Sequence, residues 1–434
     1  MSVRLLPTAG PARGLALAQL VNAVGDGAYY VCSALYFSQV VGLSAARIGL
    51  ALTLAWAVGA VAGVPLGHLA DRRGARGTAV LLAAATALAV AGLLLVRSYA
   101  WFLPVVCAYA TAQCGLAAAR QSLLAGLVEP GARTGVLAHL QSAANAGLAV
   151  GAALGAVALG AGTPAAYLLV LALDAVAFAG CALLLWRLPA VGPEAVPATA
   201  ADRGKGGGLA VLRDLPFALV TLLNMVMLLR MPLISLALPL WIVGHTVAPG
   251  WTVSALLVLN TGAVMLFQVR VAASVTDLAG AVRTVRSGGA VMLAACAVFA
   301  LSGTVAGPVW SAVGVLLAGA GLLVWGEMRQ SAGAWKIAFD LAPPGRQGQY
   351  QGFFQAGVPV ARMFGPVLLT AVVLGGGGPG WLLLGGLFLA AGVATGPAVR
   401  WAEGRGAAGR GGGGQECSEI NGALDGTERA AAHS

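Results

Sequence analysis

The chain has 434 residues, of which 59% are hydrophobic and only 9% are charged, with a mean hydropathy of +0.87. So little charge cannot cover the surface of a water-soluble protein of this length, which excludes a soluble enzyme or binding domain. The formal charge of +10 does not mark a nucleic-acid partner, because the basic residues lie in short connections between apolar runs and form no basic domain.

Apolar runs of about 20 residues, each enough to cross about 30 Å of hydrocarbon, recur along the chain. Spans are expected near 14–40, 46–69, 77–96, 100–125, 134–160 and 164–188. A linker over 189–213, containing PEAVPATAADRGKGGG, combines Pro, Gly and charge and is expected to be flexible. Six more spans follow near 215–243, 251–270, 286–304, 308–335, 348–374 and 380–400. The first run is too long for a signal-peptide core and lacks an AxA-like site, so it is expected to remain as the first helix. Residues 401–434 hold too few apolar side chains to fold alone and read as a disordered tail. The expected fold is therefore all-α, with twelve transmembrane helices in two six-helix bundles, 1–188 and 214–400.

Arginines set the orientation. Arg4, Arg13, Arg72, Arg73, Arg76, Arg133, Arg187, Arg203, Lys205, Arg213, Arg270, Arg283, Arg286, Lys336, Arg346 and Arg400 fall on one side, against Arg47 and Arg97 on the other. The positive-inside rule then puts both termini and the linker in the cytoplasm. The bias toward Ala, Gly and Arg over Lys suggests a GC-rich bacterial genome, and hence the bacterial plasma membrane. Six scattered cysteines show neither disulfide nor metal spacing, and no cofactor or metal is expected.

The halves echo each other. Pro130-Gly131 and Pro344-Gly345 share an offset with Gly151 and Gly365, and Asp71-x-x-Gly74 has an echo in Asp277-x-x-Gly280. Parallel six-helix repeats are a known plan of secondary transporters, with the substrate held between the halves near mid-membrane.

The segment Gly67-His-Leu-Ala-Asp71-Arg72-Arg73-Gly74-Ala-Arg76, between spans two and three, resembles the loop motif of the major facilitator superfamily. Gly67 permits close helix approach, Gly74 a tight turn, and Asp71 is suited to accept hydrogen bonds from a helix N-terminus or an arginine. In the family this loop helps to hold the cytoplasmic side closed. Gly147, Gly151 and Gly155 share one face of span five, a packing pattern. That region is similar to the drug/proton antiporters of the superfamily, in an actinobacterial-like form, although Ala152 stands where their Gly-Pro pair has proline.

Ionisable residues inside spans are costly and are candidate sites. Asp26 lies mid-span between Gly25 and Gly27, which leave room for substrate or water. Arg230 lies at nearly the equivalent repeat position in span seven, and the two are expected to face each other across the cavity, with Asp26 carrying the coupling proton. The alternative is a static ion pair. Glu327 is a second candidate, or an interfacial residue together with Arg329. Asp174 is deep in span six, Arg120 is expected to snorkel from the end of span four, and Arg362 precedes Gly365-Pro366 and suits a cavity acid or an anion. Tyr29, Tyr30, Tyr36, Trp56, Trp241 and Phe354, with Gln141, Asn145, Asn224 and Gln355, are candidates for the cavity wall.

The resemblance implies a monomeric secondary transporter exporting small amphipathic molecules against protons by alternating access, with lipid as its solvent. A proton symporter or facilitator for a sugar or organic acid is the alternative, and a non-transporting receptor or scaffold is a third. No enzyme motif such as HExxH, GxSxG or a Walker sequence is present.

Overall fold

In a computed structural model, residues 6–7, 9–190, 210–304 and 308–431 are described. Among them every regular element is helical, as a chain in lipid requires, since no water satisfies its backbone groups there. Most of the expected linker, 191–209, lies outside the described residues, as do 432–434.

The first half comprises α1 (Pro11–Leu35, prolonged by a π-turn Tyr36–Val40), α2 (Ala45–Arg73), α3 (Ala75–Leu93), α4 (Tyr99–Leu127), α5 (Arg133–Ala161) and α6 (Pro164–Trp186). The second comprises α7 (Leu215–His245), α8 (Trp251–Ala273), α9 (Leu278–Ser302), α10 (Val309–Leu341), α11 (Gln347–Gln355, Gly357–Leu369 and a π-turn Thr370–Leu374) and α12 (Gly375–Ala431). Among the described residues, ten segments are long and apolar enough to cross a membrane by length and hydropathy. They omit α1, which carries Gln19, Asn22 and Asp26, and they merge α11 with the start of α12. The fold is thus twelve membrane helices in two six-helix bundles. Large apolar side chains point outward, among them Leu88 at 73% exposure and Val157 at 74%, an arrangement that only a lipid surround stabilises.

Local chemistry ends the helices where the chain must turn. Ser44 accepts from the Arg47 N–H, Thr163 from the Ala166 N–H, and Asp214 from the Phe217 N–H, each satisfying one of the orphan donors of a first turn. Gly74, at φ 97°, joins α2 to α3 in a conformation that a side chain resists.

Packing repeats between the halves. In the first, α1 packs on α5 and α6, α2 on α4, and α3 on α4 and α6; in the second, α7 packs on α11 and α12, α8 on α10, and α9 on α10 and α12. The glycine face of α5 explains the first of these contacts. A Cβ on Gly147 would meet the Leu20 carbonyl and Ala23, one on Gly151 the Val24 carbonyl, and one on Gly155 Val31 and the Ala28 carbonyl. Its repeat partner Gly365 lies against the ring of Pro232 on α7. The glycines beside Asp26 serve the same purpose. Gly25 admits Asp174 and Ala177 of α6, and Gly27 admits the Leu148 backbone of α5, so they bring helices together and do not open room for substrate.

The backbone of α12 runs as helix to Ala431. The Asp71/Asp277 echo is one of sequence alone, because Asp277 caps its own helix by accepting from the Gly280 N–H.

Overfilling a close helix contact costs about 1–3 kcal/mol or more. Gly151→Leu is therefore expected to lower the midpoint of thermal unfolding in detergent by several degrees. Gly160→Leu, at a position on the same helix with nothing within 4 Å of the added carbon, is expected to leave it unchanged. Equal midpoints for the two variants would refute the packing role.

Candidate functional site

The halves meet most closely on the side that carries the linker. There α2 descends antiparallel to the start of α11, with Gly63 opposite Gly352 and Gly67 opposite Gly348. A Cβ on any of Gly67, Gly348 or Gly352 would strike the facing backbone, so small residues four apart on both helices set the distance. One turn further along α2, Asp71 reaches the first turn of α11. Its Oδ1 accepts from the Gly348 N–H at 2.7 Å and its Oδ2 from the Gln349 N–H at 2.9 Å. Ser122 of α4 also donates to Oδ1, at 3.0 Å. A carboxylate there meets unpaired N–H groups and the positive end of the helix dipole. Asp71 thus takes the helix N-terminus as a partner, and that helix belongs to the other half. Of the motif's basic residues, Arg76 donates to the Leu188 carbonyl at the end of α6, at 2.9 Å, and Arg72 is exposed. A second junction joins α5 to α8, where Ser142 Oγ lies 3.5 Å from the Val264 carbonyl.

Beyond this junction lies a cavity of about 350 Å³, lined from both halves. Asp26, Arg120, Arg230, Glu327 and Arg362 all face it, so five of the six ionisable residues singled out in the spans are brought together. Gln349 and Gln351, on its linker side, are buried at 1% and 2% exposure, whereas Tyr30 on the far side is 45% exposed. The cavity is thus closed toward the linker and open away from it.

Asp26 makes no pairing with Arg230. Its Oδ2 accepts from Asn22 Nδ2 at 2.6 Å and its Oδ1 from Gln113 Nε2 at 3.3 Å. Gln113 also donates to the Tyr109 hydroxyl, at 3.0 Å. Arg230 is held instead within its own half, by Glu327 at 3.7 Å and by Ser331 Oγ at 2.9 Å. Asn260 donates to Glu327 at 3.1 Å. Glu327 is therefore a cavity residue and not an interfacial one. Its neighbour Arg329 turns to Ser287 Oγ at 2.7 Å and lies beside Trp325.

Arg120 does not snorkel. It faces the cavity and donates to Gln19 Oε1 at 2.6 Å. Arg362 crosses between the halves, its guanidinium 5.3 Å from the Trp56 ring centroid and 5.8 Å from that of Tyr30. Asp174 stands apart. It is fully buried behind α1, and neither carboxylate oxygen has a hydrogen-bond partner, a site that tolerates the neutral acid far better than the anion. Trp56, Tyr30, Phe354, Gln141, Asn224 and Gln355 line the cavity; Tyr29, Tyr36 and Trp241 are buried elsewhere, and Asn145 donates to the Gln141 carbonyl at 3.0 Å. Gln19, Asn22, Gln113, Asn260 and Ser331 were missed. The signal for them was available, since an amide or hydroxyl deep in an apolar span needs a partner much as a charge does.

Two bundles of like packing, a polar cavity between them and a junction closed on one side define a membrane carrier that works between its two halves. The chain matches the family model of the Major Facilitator Superfamily over residues 15–366 and belongs to that superfamily. Its fold is similar to that of the human organic anion transporter MFSD10 (TETRAN), with TM-score 0.69 and 16% identity over 89% of this chain and 98% of that one. A bacterial homologue of the iron transporter ferroportin in an outward-facing state gives 0.67 and 17% over 91% and 100%. The E. coli fucose:proton symporter FucP gives 0.66 and 14% over 90% and 98%. No curated protein matches the chain in sequence.

Hydrogen bonds to a charged group contribute about 1.5–3 kcal/mol each. Asp71→Ala is therefore expected to raise, by about tenfold or more, the rate at which a membrane-impermeant maleimide reaches Cys114 in the cavity wall from the linker side. The measurement uses a background with the other cysteines replaced, and an unchanged rate would mean that Asp71 does not hold this side shut.

Proposed function

We propose that this protein is a proton-coupled secondary transporter of small amphipathic solutes, with Asp26 as the group that takes up and releases the proton. The supporting observation is the setting of Asp26 in the cavity wall, where it is held by two neutral amides and by no ion pair. A carboxyl so placed gains and loses a proton without breaking a salt bridge. Glu327, engaged by Arg230, is less suited to that task.

The cavity volume is right for a small organic molecule, and its mixture of aromatic and polar walls suits an amphipathic one. The arginine distribution argues for a cytoplasmic linker and termini in a bacterial plasma membrane. A cavity closed toward the linker is then open to the outside, which agrees with the outward-facing state named for the ferroportin homologue. Alternating access follows by rocking of the two halves about the cavity. Export in exchange for protons is the direction that the antiporter resemblance favours. The fucose symporter's use of the same fold, and the arginines of the cavity, favour the second reading, co-transport of a solute with a proton.

In proteoliposomes loaded with a pH-sensitive dye, a gradient of a transported solute is expected to move protons in the wild type. With Asp26→Asn, exchange of the solute is expected to persist while proton movement is lost. Proton movement undiminished in Asp26→Asn would sink the role of Asp26, and solute flux without proton movement in the wild type would leave a facilitator.

A further inference from the structure

The charges of the cavity do not balance. Of the residues that face the cavity, Arg230 and Glu327 form an ion pair. Arg120 and Arg362 face the cavity with neutral partners: Gln19 for Arg120, and the rings of Trp56 and Tyr30 for Arg362. The remaining cavity acid, Asp26, lies within electrostatic reach of both but forms an ion pair with neither. Two guanidinium groups thus share one carboxylate, and when that carboxylate is protonated they share none.

We propose that Arg120 and Arg362 form the subsite for the acidic head of a small organic anion, and that this anion binds together with a proton on Asp26. Arginine presents paired N–H donors in the geometry of a carboxylate, sulfonate or phosphate group. Trp56, Leu137, Leu140, Trp335 and Phe339, which line the same cavity, supply an apolar wall for the rest of the molecule. Arg120 belongs to α4 in the first half and Arg362 to α11 in the second. An anion held by both therefore bridges the halves and draws them together, which couples loading to closure.

The sign of the coupling follows from the charges that face Asp26. On its own helix these groups are Tyr29 and Tyr30. From α4 they are Tyr109 and Arg120, from α6 Asp174 and Cys181, and from α11 Arg362. From α5 the close contacts of this stretch are Gly147, Gly151 and the backbone of Leu148 and Ala152, none of them titratable. Asp174 is shut away behind α1, so a cargo in the cavity does not meet it. An anionic cargo competes with the Asp26 carboxylate for Arg120 and Arg362. Protonation removes that competitor, so anion and proton assist each other, whereas a cationic cargo and a proton would compete. The proposal rests on proton coupling through Asp26 and moves that coupling from exchange to co-transport.

Binding is measured by quenching of tryptophan fluorescence on the full-length protein in detergent, with 1-naphthoate and 1-naphthylmethylammonium as probes of matched shape. Both keep their charge between about pH 6 and about pH 8. Naphthoate is expected to bind at least about tenfold more tightly than the ammonium, and more tightly at the lower pH. Arg120→Gln and Arg362→Gln are each expected to weaken naphthoate by about tenfold or more, with Arg362→Lys restoring part of the loss. Size-exclusion profiles report whether the variants remain folded. Tighter binding of the ammonium, no binding of naphthoate to the wild type, or indifference of naphthoate to both substitutions in folded protein would overturn the anion subsite. Asp26→Asn separates the two ideas. It is expected to bind naphthoate tightly at both pH values. Naphthoate binding that needs both arginines but keeps its pH dependence in this variant leaves the subsite standing and removes Asp26 as the proton carrier.

Discussion

The contact on which the rest of this molecule depends is the carboxylate of Asp71 on the first turn of α11. Two backbone N–H groups, at 2.7 and 2.9 Å, meet its negative charge at the positive end of the helix dipole. The bond forms only because the backbones of α2 and α11 lie almost in contact, and they do so only because Gly63, Gly67, Gly348 and Gly352 carry no side chains. Packing and electrostatics are therefore a single device. The glycines bring the helix end within reach, and the carboxylate makes that approach worth holding. Side chains also cross at this level, Phe339 packing into the core of the first half and Val64 and Ala138 into that of the second.

Closure at one side makes the cavity what it is. Between the junction and the far mouth, Asp26 of α1, Arg120 of α4 and Arg362 of α11 are left without ionic partners, while Arg230 and Glu327 satisfy each other within the second half. Ionisable groups in a membrane are normally paired because their desolvation is costly. Groups that are left with amide or aromatic partners keep an interaction in reserve. Asp26 held by Asn22 and Gln113, and Arg362 laid over Trp56 and Tyr30, are loosely engaged in this sense. They hold their positions but remain open to a stronger ligand.

Much of this was legible in the sequence, and the omissions share a cause. Span number, the role of Asp71 as an acceptor, and the close approach through Gly67 and the α5 glycines follow from residue type and local spacing. The cavity also gathers five of the six ionisable residues read from the spans. What a single sequence does not contain is the rotational phase of one helix against another. That phase decides that Arg230 turns to Glu327 on α10 and not to Asp26 across the cavity, that Arg120 turns inward to Gln19, and that Gly25 and Gly27 face α6 and α5. The partner of Asp71 was hidden for the same reason. Even so, Gly348-x-x-x-Gly352 at the head of α11 repeats the four-residue spacing of Gly63 and Gly67, and two such faces in one membrane protein are candidates for each other.

The two halves repeat each other in packing but not in chemistry, and that asymmetry bears on mechanism. Gly151 and Gly365 occupy matching places against α1 and α7, so the scaffold is symmetric where helices cross. Asp26 on α1 and Arg230 on α7 occupy nearly matching positions yet have opposite charge, and they meet unlike surroundings: neutral amides for the acid, a carboxylate for the base. The same contrast holds at the linker side, where Asp71 binds the opposite half and Asp277 only its own helix. A carrier whose halves were chemically equivalent would present the same surface in both. Here the second half is internally neutralised at Arg230 and Glu327, and the first half carries the unpaired acid. Changes in charge during a cycle are then felt mainly on the α1 side, against the two arginines that flank it. In the proposed cycle the first half carries the acid that senses protonation, and Arg362 of α11 is the point at which the second half feels it.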